Sequence, residues 1–240
     1  MNLSKKHDGV FTVGAVIVAA GNSQRMVGDL AEHPVDKIFA DLLGSPVISY
    51  SLDVFQDCPD VDEIVLVLSD ENIEKGKLLI ASQAWGKITS ICKGGVTRQD
   101  SVMEGISQLG WCDFVIIHDG ARPCVSQDII KNGLSMVVET GAAIPVIEVK
   151  DTVKQVIHGV IHNTIPRDSI KLAQTPQIFR YELIKNAIQD NSSFVTDESS
   201  VLETLGHNVL EFPGSEENIK ITTPIDLKLA TLIMETRLQS

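Results

Sequence analysis

The sequence predicts an α/β fold: a Rossmann-like, doubly wound and mostly parallel sheet with an inserted β-hairpin arm. Three observations predict it. Unbroken apolar runs of strand length recur along the chain, and helical patterns separate them. The alternation breaks once, after Val149, where a period-two pattern turns about His158-Gly159.

The first run, Ala15-Val16-Ile17-Val18, leads into a loop at Gly21. It fits a strand buried on both faces, since parallel strands covered by helices read as continuous apolar stretches. Residues 63–68, 113–117 and 142–149 read the same way, and helices are expected over 46–56, 72–84, 98–109 and 127–139. Right-handed crossovers gather the C-terminal ends of such strands on one edge, where open α/β sheets bind their ligands. Residues 150–164 alternate as a hairpin, with two placements equally open: an arm that projects toward another subunit, or an antiparallel pair added to the parent sheet. Helices over 179–189 and 198–205 and a strand over 208–212 follow. The last helix has a clear start, with Thr223 to cap it, Pro224 for its first position and Asp226 for its first turn. No repeat, low-complexity tract or linker interrupts the pattern, so residues 1–240 read as one domain.

Charge and cysteine usage narrow the function. A formal net charge of −12 excludes broad electrostatic attraction to nucleic acid or to an anionic membrane. An anionic ligand must then be held by a few well-placed cations and backbone N–H groups. The four cysteines lie far apart without a CxxC pair, and the histidines show no metal-ligand spacing, which fits isolated thiols in a reducing cytoplasm. No apolar run reaches membrane-spanning length, and the polar start of the chain reads as neither a signal nor a transit peptide, so a cytoplasmic location is expected, or a stroma-like one in a plastid-bearing source.

Four segments carry phosphate-binding residue types. Ala19-Ala20-Gly21-Asn22-Ser23-Gln24-Arg25 follows the first strand, where a glycine lets backbone N–H groups approach a phosphate, and Lys37 stands further on in an apolar context. The loop matches neither GxGxxG nor GxxxxGK[ST], which counts against a dinucleotide-dependent oxidoreductase and a P-loop enzyme. Gly94-Gly95 precede a helix that contains Ser101. His118-Asp119-Gly120-Ala121-Arg122 ends an apolar strand, with Asp119 able to hold Mg²⁺ or a ribose hydroxyl and Arg122 able to hold a phosphate. Lys220 lies in what reads as a late apolar strand, 218–222. No activated serine or thiol is signalled. Cations, one acid and glycine loops suit in-line attack on a nucleotide phosphorus, a reaction that rests on positioning and charge neutralisation.

The segments AAGNSQRM, DKIF, GGVTRQDSV, HDGARP, VKDTVK, PRD…AQTPQIF, TDESS and NIKITTPIDL occur in this order over nearly the whole chain. Together they resemble the 2-C-methyl-D-erythritol 4-phosphate cytidylyltransferase family. The resemblance implies CTP and a polyol phosphate as substrates, a divalent cation such as Mg²⁺, and a homodimer joined through the arm at 150–167. It implies that Ala19, Ala20, Gly21 and Ser23 hold the CTP phosphates while Arg25, Lys37 and Lys220 neutralise charge at the attacked phosphorus. Gly95 and Ser101 would recognise the cytosine, and Asp119 and Gly120 would lie near the ribose and metal. Thr152 and Arg167 of the arm, with Arg122, would bind the methylerythritol phosphate, and Thr175 and Thr196 also match the substrate motifs. Ser23, Val96 and the long stretch over 27–36 depart from the family pattern without removing a cation. A sister cytidylyltransferase for ribitol 5-phosphate and a non-catalytic nucleotide-binding homologue are the alternatives.

Overall fold

Alternate residues of the first strand pack into opposite layers. Ala15, Ile17 and Ala19 join one hydrophobic cluster and Val16 joins the other, as the period of two in a strand requires. The computed structural model describes residues 11–21, 36–190 and 197–239. Its elements, in chain order, are β1 (Val13–Ala19), β2 (Asp41–Leu42), β3 (Ser45–Pro46), α1 (Val47–Asp57), β4 (Glu63–Leu68), α2 (Ile73–Ala81), β5 (Ile88–Lys93), α3 (Arg98–Gln108), β6 (Phe114–Asp119), α4 (Gln127–Thr140), β7 (Ala142–Glu148), β8 (Val153–Ile157), β9 (Val160–Ile165), β10 (Lys171–Ala173), β11 (Gln177–Arg180), α5 (Tyr181–Asp190), α6 (Glu198–Thr204), β12 (Leu210–Pro213) and α7 (Pro224–Gln239).

The main sheet runs β12-β7-β11-β6-β1-β4-β5. Strand β10 continues the line of β11 along β7, since Val146 meets Ala173 on one edge and Pro213 on the other. Strands β6, β1, β4 and β5 are parallel, β7 and β12 pair in parallel, and β11 is antiparallel to both β6 and β7. Helices α1, α2 and α4 cover one face, and α3, α5 and α6 cover the other. This is the doubly wound, mostly parallel α/β sheet that the apolar runs predict.

Three expectations need correction. Phe179 does not open a helix: Ile178 and Phe179 are fully buried in β11, one on each face of the sheet, and α5 starts at Tyr181. The QIFR segment is too short to show a period, and its pairing to both β6 and β7 is a long-range choice. Residues 218–222 are not a strand. Ile221 N donates at 2.8 Å to the carbonyl of Ala121, so this stretch bonds to a loop. Strand β5, half-exposed at the sheet edge, has polar residues interrupting its apolar ones and was not expected, while α2 stops at Ala81, short of residue 84.

The hairpin at 150–164 is a separate two-stranded sheet and, among the described residues, pairs with no other strand. His158 (φ 48°) and Gly159 (φ 79°) both lie in the left-handed region, which fits a type I′ turn, and Ile157 faces Val160 across it. Cross-strand pairs share a face, so Val156 with Ile161 and Ile157 with Val160 present apolar surface on both sides of the ribbon tip. All four are exposed.

Candidate active site

The strand order reverses at β1: the next strands, β4 and β5, lie on one side of it and β6 on the other. Open α/β sheets bind ligands outside the strand ends at such a switch point. A cavity of about 440 Å³ opens there. Ala19, Ala20 and Gly21 line it beyond β1, Gly95 and Ser101 line it from the side of α3, and Lys37, Arg98, Asp119 and Lys220 bring charge to its wall.

Local chemistry sets each wall. Gly94 and Gly95 follow β5, and a Cβ on them would fall 2.3 Å from Ala20 Cβ and 2.2 Å from Asp100 Cβ, so the loop closes tightly only with glycine there. Thr97 then caps α3 in a reciprocal box: its hydroxyl accepts from Asp100 N (3.1 Å), and its own N–H donates to Asp100 Oδ2 (2.9 Å). Ser101 Oγ donates to Thr97 O (2.9 Å) and accepts from Gly95 N (3.1 Å), which fixes the glycine loop. Lys37 opens a short 3₁₀ turn, Lys37–Phe39, whose cap Asp36 accepts from Ile38 N (3.3 Å) and from Asn72 Nδ2 (2.5 Å). The buried Ile38 anchors that turn in the core.

Asp119, at the tip of β6, is buried among three cations. Its Oδ1 lies 3.1 Å from Arg98 Nη2, and its Oδ2 lies 2.7 Å from Lys220 Nζ and 3.7 Å from Arg122 Nε. Burial would push this carboxyl up, but Arg98, Lys220 and Arg122 together hold it well below the usual carboxylate range. Arg98 also reaches Glu198 Oε2 at 2.9 Å. Burial pushes the Glu198 carboxyl up to about 7 against the pull of Arg98. The backbone of Asp119 is held too. Its N–H donates to Thr175 Oγ1 (3.0 Å), and that hydroxyl lies 3.1 Å from His118 Nδ1. Both contacts are satisfied when Thr175 donates to an unprotonated Nδ1. Complete burial pushes His118 down to about 3, which keeps the imidazole neutral. Asn218 donates to the carbonyl of Thr175 (2.8 Å), its own carbonyl accepts from Arg122 Nη1 (2.7 Å), and the Ile221–Ala121 backbone bond follows, so Lys220 is delivered to Asp119 by its neighbours.

The cavity therefore brings together Ala19, Ala20, Gly21, Lys37, Gly95, Ser101, Asp119 and Lys220. Gly120 lies buried behind the wall, its N–H bonded to Val18 O, and Arg122 packs against Asp119 from the protein side. Thr175 sits beneath Asp119 with its hydroxyl already engaged. Thr152 and Arg167 stand at the base of the hairpin, outside the cavity, where Arg167 Nη1 donates to Lys150 O (3.1 Å). Ser23, Arg25 and Thr196 lie outside the described residues. Sequence reasoning assigned no role to Arg98, Glu198 or Asn218. One signal was available: a cation at the first position of a helix faces the positive end of the helix dipole, so Arg98 needs anionic partners from elsewhere.

The description "IspD: 2-C-methyl-D-erythritol 4-phosphate cytidylyltransferase" belongs to the family model that matches residues 13–236. The chain belongs to that family. It is 45% identical to a 2-C-methyl-D-erythritol 4-phosphate cytidylyltransferase of Dehalococcoides mccartyi (strain CBDB1), over 93% of this chain and 96% of the relative. A Clostridium perfringens (strain SM101 / Type A) relative of the same description is 42% identical over 91% of this chain and 96% of its own length. Among solved structures, the 4-diphosphocytidyl-2C-methyl-D-erythritol synthase of Anaerococcus prevotii superposes with a TM-score of 0.81 at 27% identity, covering 93% of this chain and 96% of that one. The Francisella tularensis cytidylyltransferase gives 0.75 at 31% identity, covering 92% and 99%. Among the described residues no helix is long and apolar enough to cross a membrane.

Proposed function

We propose that this chain, a cytidylyltransferase by family, transfers CMP from CTP to 2-C-methyl-D-erythritol 4-phosphate and releases pyrophosphate. The observation that carries the reading is the pairing of Lys220 and Arg98 with Asp119, with Lys37 on the same wall, in a glycine-lined cavity at the switch point of the sheet. An oxygen of the substrate phosphate attacks the α-phosphorus of CTP, the bond from that phosphorus to the oxygen bridging to the β-phosphate breaks, and pyrophosphate leaves with the electron pair. The nucleophile is already anionic, so no side chain has to remove a proton. Lys37 and Lys220, with Arg25, neutralise charge on the phosphates, which is worth most where charge develops in the transition state. Gly95 and Ser101 are assigned to the base, and Ala19, Ala20, Gly21 and Ser23 to the phosphates.

A Mg²⁺ ion fits this donor set. Magnesium is usually held by one or two carboxylates plus substrate phosphates, and Asp119 supplies one carboxylate whose oxygens keep lone pairs beyond those its cations use. Bound there with the CTP phosphates, the ion would neutralise their charge. Thr152, Arg167, Arg122 and Asp119 are proposed to bind the methylerythritol phosphate, with Thr175 and Thr196 supporting that pocket, and Gly120 with Asp119 to lie by the ribose. We place this pocket between two subunits, because an isolated two-stranded ribbon with apolar pairs on both faces is marginal in water and calls for cover. The reading takes residues 1–240 as one cytoplasmic nucleotidyltransferase domain with its arm at 150–167.

The test is pyrophosphate release from CTP and Mg²⁺ with methylerythritol phosphate or ribitol 5-phosphate as acceptor. Release with methylerythritol phosphate alone is expected. Release with ribitol 5-phosphate alone would overturn the substrate, and silence with both in protein that still binds CTP would favour the non-catalytic homologue.

A further inference from the structure

Two motifs, TPQ and DESS, do not line the cavity, yet their side chains are clasped together behind its wall. Gln177, buried in β11, donates from Nε2 to Asp197 Oδ2 (2.8 Å), and its Oε1 accepts from Ser199 N (3.3 Å). Asp197 in turn caps α6, accepting from Ser200 N (3.2 Å). The first residue of that clamped helix is Glu198, which is 3% exposed. A carboxylate buried this deeply is costly unless a cation meets it, and the cation here is Arg98.

Arg98 gives one nitrogen, Nη2, to two carboxylates: Glu198 behind it and Asp119 in front of it. Its Nη1 is buried without a hydrogen-bond partner among the described residues, so that nitrogen adds nothing to these two contacts. Asp119 is thereby suspended between Arg98 on one oxygen and Lys220 with Arg122 on the other. With Glu198 gone, Asp119 would be the one carboxylate among the described residues still ion-paired to the guanidinium, with Asp197 acting at longer range, and Asp119 would be drawn off Lys220. The geometry points to Glu198 as a positioning residue for the transfer step: it holds Arg98, and through Arg98 it sets where Asp119 and Lys220 stand in the cavity. The clasp from Gln177 makes this setting rigid, and rigid outer partners are what keep a site in register. This inference rests on the nucleotidyl-transfer reading above.

The experiment compares Glu198→Gln, Arg98→Lys and the double variant with the wild-type chain, measuring pyrophosphate release, KM for CTP and thermal melting. Glu198→Gln keeps shape and hydrogen bonding while removing the charge. The expected result is a fall in kcat of about tenfold, the size usual for loss of an outer partner, with KM for CTP within about twofold and a melting transition that stays cooperative. The double variant should be no slower than the slower single, because both residues act through one contact. A Glu198→Gln turnover within about twofold of wild type, or losses that multiply in the double, would overturn the proposal. Should Glu198→Gln fail to fold, Arg98→Lys decides: a raised KM for CTP with kcat intact would make Arg98 a ligand and overturn the positioning role. Wild-type turnover in the same assay keeps the two readings apart. A silent wild type sinks the functional reading and this inference with it, whereas losses confined to the variants bear on Glu198.

Discussion

Asp119 shows how one carboxylate can stay charged while nearly buried: three cations surround it, so no single contact decides its state. That redundancy shapes what a substitution at Lys220 would do. Lys220→Ala leaves Arg98 and Arg122 on Asp119, so the fold should persist. Turnover should still fall by about 100-fold or more, since a positive charge aimed at the reacting phosphate is removed. Steady-state kinetics with a far-UV spectrum would check both halves, and near-normal turnover would remove Lys220 from the catalytic set. The cysteines stand in contrast. Burial pushes Cys92 and Cys124 up to about 11 and Cys112 to about 12, so these thiols are inert packing groups, as their spacing suggested.

Elements place these residues, and the arm is the element that pairs with no other strand among the described residues. Strands β8 and β9 expose Val156 (55%) and Ile161 (63%) on one face and Ile157 and Val160 on the other. Replacing Val156 and Ile161 together with Asp should shift the protein to a smaller species in analytical ultracentrifugation and raise KM for the polyol phosphate more than KM for CTP. An unchanged sedimentation coefficient would mean that the arm joins no second copy through this face. Helix α7 shows a simpler principle at work. Asp226 in its first turn accepts from Thr222 N and Thr223 N at 2.9 and 2.7 Å, so the start at Pro224 follows from local chemistry.

At the scale of the whole molecule, two buried groups oppose each other as pH changes. The folded-state value of His118 is lowered from 6.5 to about 3 by burial, so its contribution to stability is present above pH 6.5 and is lost as pH falls toward 3. That of Glu198 is raised from 4.5 to about 7, again by burial first, so its contribution is present below pH 4.5 and is lost as pH rises through 7. Between those limits the two slopes oppose. Urea unfolding of wild type and His118→Gln over pH 4.5 to 6.5 separates them. The wild-type free energy minus that of the variant should rise with pH, approaching the one-proton slope of about 1.4 kcal/mol per unit. Parallel curves would mean that His118 titrates alike in folded and unfolded chains.

The apolar runs determined β4 and β7 to within a residue and β1 and β6 to within two, because a strand buried on both faces has to be largely apolar. The His158-Gly159 turn and the start of α7 were equally legible, since each depends on a few adjacent residues. The glycine loops and Asp119, at strand ends where phosphate chemistry calls for such residue types, could be named in advance as lining one cavity, and Lys37 and Lys220 as lone cations in apolar stretches. What the sequence left open was everything that depends on residues far apart in the chain. Strand β11 exists because β6 and β7 accept it between them, and residues 218–222 turn from strand to strap because Ala121 offers a carbonyl. Arg98 meets Glu198, a hundred residues away, and both were invisible as partners until the sheet brought α3 and α6 to one face. Local pattern reports what a segment can bury, whereas which charges share a cavity is set by packing across the whole chain.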